Sequence, residues 1–268
     1  MTIQKAFVMS DFINVVKIGG NIIDNPDALL SFLKDFASMS GNKILVHGGG
    51  KEATRLSESM GLKANMIEGR RVTDRQTLDI VTMVYAGLIN KRIVALLQSL
   101  GCDAVGLTGA DGNVIPAKRR PAEPIDYGFV GDIAPGEIDD RFIRLLLNNG
   151  NVPVFCAICH DDQGMLLNCN ADSVAGAVAQ AVSWIGPTRL TFCFEKAGVM
   201  TDLDDESSVI PLVTAESFAD LKEKGIVAKG MVPKIQNALK CAENGVGEVR
   251  ICKAEALTTE GGTIIRIE

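Results

Sequence analysis

Short β-rich apolar runs alternate along this chain with longer segments whose apolar residues recur at helical spacing, and few architectures accommodate that order. Residues 13–18, 43–46, 104–107, 152–158, 190–194 and 249–252 read as strands. Residues 27–36, 51–60, 139–148, 171–184, 215–224 and 232–243 read as helices, and Asp74 can cap a longer one running through Leu78, Val81, Tyr85, Leu88 and Ile93 to Gly101. Alternation of this kind predicts a mostly parallel central sheet covered by helices on both faces, a three-layer αβα sandwich. The 268 residues carry no internal repeat or low-complexity linker, so one domain over 1–268 is expected.

Two strands run into glycine turns, and a third segment far downstream matches them in chemistry. Lys17-Ile-Gly-Gly20 ends the first strand, Val46-His-Gly-Gly-Gly50 ends the second, and Gly230-Met-Val-Pro-Lys234 opens the last long helix. Glycines between a strand and a helix let backbone N–H groups approach an anion closely, and the helix N-terminus adds partial positive charge. Ligands of such sheets bind at the carboxyl ends of the strands, where both turns would lie. A lysine near each end of the chain would grip phosphate from two sides, which points to phosphoryl transfer. The common nucleotide motifs are absent: there is no G-x-x-x-x-G-K-[ST], no strand followed by G-x-G-x-x-G, and no H-R-D.

Composition narrows the field. A formal charge of −6 argues against nucleic acid, whose affinity rests on neutralised phosphates, and Lys118-Arg-Arg120 reads as a solvated loop. No uninterrupted apolar run approaches the ~20 residues that span a bilayer, and residues 1–12 lack a signal-peptide pattern, so a cytoplasmic protein is expected. Seven cysteines, an odd number in a long chain, do not suggest a disulfide framework. Cys156-Ala-Ile-Cys159-His160 matches the haem-attachment pattern, but it continues an apolar strand and reads as core. No metal site is expected.

Five segments together carry a family resemblance: Val16-Lys-Ile-Gly-Gly20, Val46-His-Gly-Gly-Gly50, Gly69-Arg-Arg-Val-Thr-Asp74, Asn168-Cys-Asn-Ala-Asp172 and Gly230-Met-Val-Pro-Lys234. Their order resembles the amino acid kinase family, over almost the whole chain. The G-R-R-V-T-D and N-x-N-A-D segments resemble the branch that phosphorylates the γ-carboxylate of an N-acylated glutamate in arginine biosynthesis. The resemblance implies the amino acid kinase fold, with an acyl-amino-acid lobe over 1–182 and a nucleotide lobe over 183–268. It implies ATP and Mg²⁺ as cofactors and a small N-acyl amino acid as the partner substrate.

The resemblance also assigns roles to residues. Lys17 and Lys234 would neutralise the transferring phosphoryl group from opposite sides, and Asp172 would hold both lysines, or cap the helix that follows it, or do both. Gly19, Gly20 and Gly50 would direct N–H groups at phosphate oxygens. Gly49 and Gly50 would line the acceptor's γ-carboxylate, Arg71 would fork onto a second carboxylate, and Asn168 and Asn170 would meet its other polar groups. Arg70 reads as a solvated loop residue. No general base is required, because a carboxylate is already ionised at neutral pH.

Two segments depart from the family pattern. Phe194-Glu-Lys-Ala-Gly198 stands where the family has Asp-Val-x-Gly, leaving Glu195 and Gly198 as nucleotide-binding candidates. Cys156 to His160 replaces a segment of small residues; if it lines the acyl pocket, a bulkier or charged acyl group such as succinyl is open. Alternative readings are another carboxylate or carbamate kinase of the same family, or a non-catalytic sensor on its fold. Arginine-inhibited members carry an extra N-terminal helix that links dimers into a ring. The few residues before the first strand therefore predict a homodimer without arginine feedback, paired through the helix after Asp74 by Met83, Tyr85 and Leu88.

Overall fold

The computed structural model describes residues 12–134, 136–202, 204–227 and 231–268. Gly230 of the distal lysine motif lies outside them, as do residues 1–11, on which the expectation about the N-terminus rests. In chain order the strands are β1 (Ile13–Ile18), β2 (Lys43–His47), β3 (Met66–Ile67), β4 (Arg70–Arg71), β5 (Ala104–Leu107), β6 (Lys118–Arg119) and β7 (Gly131–Asp132). There follow β8 (Val152–Cys156), β9 (Ile158–His160), β10 (Leu166–Asn168), β11 (Thr188–Phe194), β12 (Leu212–Val213), β13 (Glu248–Lys253) and β14 (Thr263–Ile265). The helices are α1 (Gly20–Ile23), α2 (Pro26–Ser38), α3 (Gly50–Ser59), α4 (Arg75–Thr82), α5 (Asn90–Ser99), α6 (Asp140–Asn148), α7 (Ala171–Ser183), α8 (Ala215–Glu223) and α9 (Val232–Glu243).

Eight strands form one sheet in the order β12-β14-β13-β11-β1-β2-β8-β5. Every neighbouring pair is parallel except β13 and β14. The helices layer onto this sheet, as the alternation predicts. All six residues of β1 are buried, because it lies between two parallel neighbours with α7 packed across it and across β2 and β11. Fully buried Ile18, Leu45, Phe155 and Phe192 tie the central strands to their helices, each such side chain contributing ~1.5–3 kcal/mol of transfer free energy. The crossovers leave the glycine turns after β1 and β2, and the ends of β8 and β11, at one edge of the sheet.

Several expectations need correction. The strand expected over 152–158 stops at Cys156; the chain turns at Ala157, and β9 pairs antiparallel with β10 away from the main sheet. The long helix is interrupted by a π turn over Met83–Ile89, which periodicity alone does not signal. Lys118-Arg-Arg120 is no free loop: β6 pairs with β7, and the three cations meet Glu137 at 2.9 Å, Asp126 at 3.8 Å and Asp132. The helical stretch Arg75–Ser99 contains an 18-residue window of mean hydropathy 1.6, long and apolar enough to cross a bilayer by length and composition alone, although charges interrupt its apolar runs. It is a core helix here, with Leu78, Val81, Val84, Ile89, Ile93 and Leu97 buried. Tyr85 is buried as well, so it does not belong to an exposed pairing face, whereas Met83 and Leu88 are 52% and 44% exposed.

Candidate active site

The first of two neighbouring cavities, about 470 Å³, opens over the turn after β1. Lys17 reaches it from the last part of β1, where its side chain is buried and its Nζ lies 2.8 Å from Asp172 Oδ1. Lys234 enters from the first turn of α9, with its Nζ 3.6 Å from the Phe194 ring centroid; the Lys17 Nζ lies 5.5 Å from the same centroid. One aromatic ring therefore lies beside both lysines, a cation–π arrangement that favours two charges close to it. Burial pushes the Lys234 ammonium below the usual lysine range; Asp172 and Glu195 oppose that shift, and Lys17 adds to it. A phosphate in the cavity would relieve both penalties. Gly19, Gly20, Gly50, Glu195 and Lys196 complete the wall.

The second cavity, about 200 Å³, lies behind the turn after β2. Arg71, on β4, is 7% exposed; its Nη2 donates to Gly50 O at 2.8 Å and to Thr54 Oγ1 at 2.6 Å, while Nη1 is buried with no partner. A buried guanidinium nitrogen without an acceptor is costly, and an anionic ligand would satisfy it. Asn168, at the end of β10, donates through Nδ2 to Thr73 Oγ1 at 3.0 Å, and Thr73 Oγ1 in turn donates to Arg71 O at 3.1 Å. The G-R-R-V-T-D segment thus supplies a ligand arm, a linking hydroxyl and, in Asp74, the cap that accepts from Thr77 N and starts α4. Arg70, read as loop, is an exposed residue of β4 that lines this pocket too.

The segment joining the cavities is the N-terminus of α7. Asn170 Oδ1 accepts from Asp172 N and Ser173 N, so the cap is Asn170 and not Asp172. That frees the Asp172 carboxylate for Lys17, while Asn170 still lines the second cavity. Gly50 lines both cavities. Gly49 is fixed by close approach: a Cβ there would overlap Ile89 Cδ1 and lie 2.8 Å from Tyr85 Cδ1.

Gly198 is not brought to either cavity. It is buried against β14, where a Cβ would fall 2.6 Å from Thr263 Oγ1, the atom that accepts from Val199 N. Its glycine answers a packing demand. Of the 156–160 segment only Ala157 lines the second cavity; Cys156 and Cys159 are buried elsewhere, and burial pushes the Cys156 thiol up to about 12. All seven cysteines are free and buried. Phe194, Tyr85 and Thr73 were not singled out as site residues from sequence; the available signals were Phe194 at the carboxyl end of a strand and Thr73 within the G-R-R-V-T-D segment.

A model of the amino acid kinase family matches residues 13–253. The chain belongs to that family. Acetylglutamate kinase of Cytophaga hutchinsonii is 50% identical to it over 244 residues, covering 91% of this chain and 92% of the relative. Acetylglutamate kinase of Methanopyrus kandleri is 41% identical over 256 residues, 94% and 99% of the two chains. Among solved structures, N-acetylglutamate synthase from Neisseria gonorrhoeae with coenzyme A and N-acetyl-glutamate superposes with a TM-score of 0.79 at 23% identity, over 95% of this chain and 59% of that one. Carbamate kinase from Giardia lamblia bound to AMP-PNP gives 0.69 at 12% identity, over 97% and 100%. At such identities these two speak for the fold alone. As a member of this family the chain is a kinase with a carboxyl group as acceptor, and it uses ATP.

Proposed function

We propose that the protein transfers the γ-phosphoryl group of ATP to the γ-carboxylate of an N-acyl-L-glutamate, N-acetyl-L-glutamate foremost, giving an acyl phosphate on a route to arginine. The observation that carries this reading is the junction at Gly50. A lysine-rich cavity on one side and a pocket holding a buried, half-satisfied arginine on the other share that one residue. A phosphoryl group moving between two anions needs that layout: cations to offset their repulsion, and N–H groups aimed at the point of transfer. Acetylglutamate kinase is also the name its relatives carry.

In this reading ATP supplies the phosphoryl group and Mg²⁺ accompanies its phosphates. Among the described residues no group of three or more His, Cys, Asp or Glu converges on a metal position. Lys17 and Lys234 hold charge against the equatorial oxygens, Asp172 keeps Lys17 in position, and the Gly19, Gly20 and Gly50 amides face the phosphate. Glu195 is retained as a nucleotide contact. Arg71 Nη1 and Asn168 bind the acceptor's α-carboxylate side, with Gly49, Gly50 and Asn170 around the γ-carboxylate. The lobes 1–182 and 183–268 then meet across the first cavity, which draws walls from both.

A specific observation keeps a second acyl group in play. Arg70 gives the pocket a second cation, which an acyl group ending in a carboxylate, such as succinyl, would meet. For assembly we infer a homodimer joined through the exposed Met83 and Leu88 side of the long helix. Seven free thiols favour a reducing compartment, the cytoplasm. Trapping the acyl phosphate with hydroxylamine tests the function across N-acetyl-, N-succinyl- and free glutamate, aspartate and carbamate. Turnover confined to free amino acids or carbamate would favour another kinase of the family, and binding of ATP and acceptor without turnover would favour a sensor.

A further inference from the structure

Tyr85 has no role in the reading above, yet the fold delivers it to the acceptor pocket with unusual care. It lies in the π turn of the long helix, is 6% exposed, and lines the second cavity. A π turn is a costly insertion that recurs at functional positions. Here Tyr85 and Ile89, four residues apart, both close on Gly49: a Cβ on that glycine would lie 2.8 Å from Tyr85 Cδ1 and 3.0 Å from Cε1. With the ring so fixed, its hydroxyl stands 4.0 Å from where a Cβ of Gly50 would be. Gly50 is the residue the two cavities share.

The chemistry of the neighbours decides which way that hydroxyl works. Burial raises the phenol above its ordinary pKa, and the Arg71 guanidinium beside it opposes the shift without cancelling it. The phenol therefore keeps its proton at neutral pH. A guanidinium has donors only, so it can meet the phenol oxygen only at a lone pair, and the O–H remains to donate. In a pocket that also offers the unpartnered Arg71 Nη1, the matching acceptor is an anion.

We propose that the Tyr85 hydroxyl donates a hydrogen bond to a carboxylate oxygen of the acceptor, completing with Arg71 the site that aligns it beside Gly50. Tyr85 is thus a specificity-determining residue: it favours an ionised acceptor at the transfer point and contributes nothing to the nucleotide. The assignment rests on the acylglutamate kinase reading.

Tyr85→Phe keeps the ring against Gly49 and removes only the hydroxyl. The KM for the N-acylglutamate is expected to rise ~10- to 100-fold, the range for losing one hydrogen bond to a charged group, with the KM for ATP changed by less than about twofold. A folded Tyr85→Phe enzyme with an unchanged acceptor KM overturns the proposal, as does an equal change for both substrates. A second measurement needs no change at Tyr85. The chain has two tyrosines, so in Tyr127→Phe protein Tyr85 is the sole phenol. The single tryptophan, Trp184, is 84% exposed and lines neither of these cavities. Adding saturating N-acylglutamate without ATP should perturb the phenol band in an ultraviolet difference spectrum, and an unperturbed band with the acceptor bound overturns the proposal. If the wild-type enzyme neither binds nor phosphorylates any N-acylglutamate, the parent reading fails and takes this one with it. Turnover with an unperturbed phenol and an unchanged KM would sink the tyrosine alone.

Discussion

Two glycine turns stand side by side at the carboxyl ends of β1 and β2, alike in sequence and different in what holds them. The turn after β1 is open: a Cβ on Gly19 or Gly20 would meet nothing nearer than 3.7 Å. The turn after β2 is clamped, with no room at Gly49 and a fully buried His47 beneath it. His47 Nδ1 faces Gly48 O at 2.8 Å and Nε2 faces Asn90 Nδ2 at 3.1 Å, a network that implies a neutral ring with its proton on Nδ1. Identical residue types thus answer different demands: the first turn leaves its backbone free for a ligand, whereas the second is also a structural joint between the sheet and the long helix.

The largest effect should fall on the open side. Lys17→Ala and Lys234→Ala are each expected to lower kcat by ~10²–10³, the size of losing one donor that acts in the transition state. In either variant the remaining lysine still faces Asp172 and Phe194, so the fold should persist, checked by circular dichroism beside steady-state rates. Near-normal turnover would show that the open turn serves something other than phosphoryl transfer.

The clamped side should give way to acid. Burial, assisted by Lys91, holds the His47 pKa down to about 4, against a smaller upward pull from the Gly48 carbonyl. The unfolded chain binds this proton below its ordinary pKa near 6.5, while the folded chain resists it until about 4. Stability from this group is therefore complete above that range, falls by about 3 kcal/mol as the pH drops to 4, and falls no further below it. Urea titrations at several pH values, compared with His47→Gln, measure it. A variant with the same acid slope as the wild type would acquit His47.

How much of this was legible in sequence follows the same division. Lys17, Asp172 and Arg71 could be named because each sits in a short motif that carries the family resemblance, and the chemistry implied there suits each residue type. The open turn was legible for the same reason, since glycine after a strand reads as backbone approach. What escaped was long-range packing. Tyr85 reads as one more apolar position of a helix, and only the π turn and Gly49 reveal that it points into the acceptor pocket. Gly198 was named from the family pattern, which does not register that its Cβ position abuts Thr263. Asp172 was the cap the sequence offered, and the structure gives that place to Asn170. The small ribbons of β3 with β4 and β9 with β10 are too short for periodicity to register, yet they aim Arg71 and Asn168.

A methyl group at Gly49 should test the clamp directly. Gly49→Ala forces Tyr85 and Ile89 aside in a packed core, a change that costs ~1–3 kcal/mol of stability. Because Tyr85 moves, the KM for the acceptor should rise along with it, while that for ATP moves less. Thermal unfolding and both KM values measure the pattern. Unchanged stability would mean that the second turn is as open as the first.

Gly20→Ala is the counterpart, and its effect should be the smallest and of a different kind. Gly20 is the first residue of α1, and its nearest potential clash is Asp24 Oδ2 at 3.7 Å. Alanine suits a helix better than glycine by up to ~1 kcal/mol, so stability should hold or rise slightly. The methyl would project near the cavity wall that Gly20 helps to form, where a phosphate needs the backbone to come close. The expected result is a few-fold rise in the KM for ATP, on the order of 1 kcal/mol, with the acceptor KM unchanged. Stability and ATP affinity would then move in opposite directions at the first turn, whereas stability and acceptor affinity would fall together at the second. If Gly20→Ala instead left the KM for ATP untouched, the open turn would have no ligand to explain its glycines, and the contrast between the two turns would collapse into a difference of packing alone.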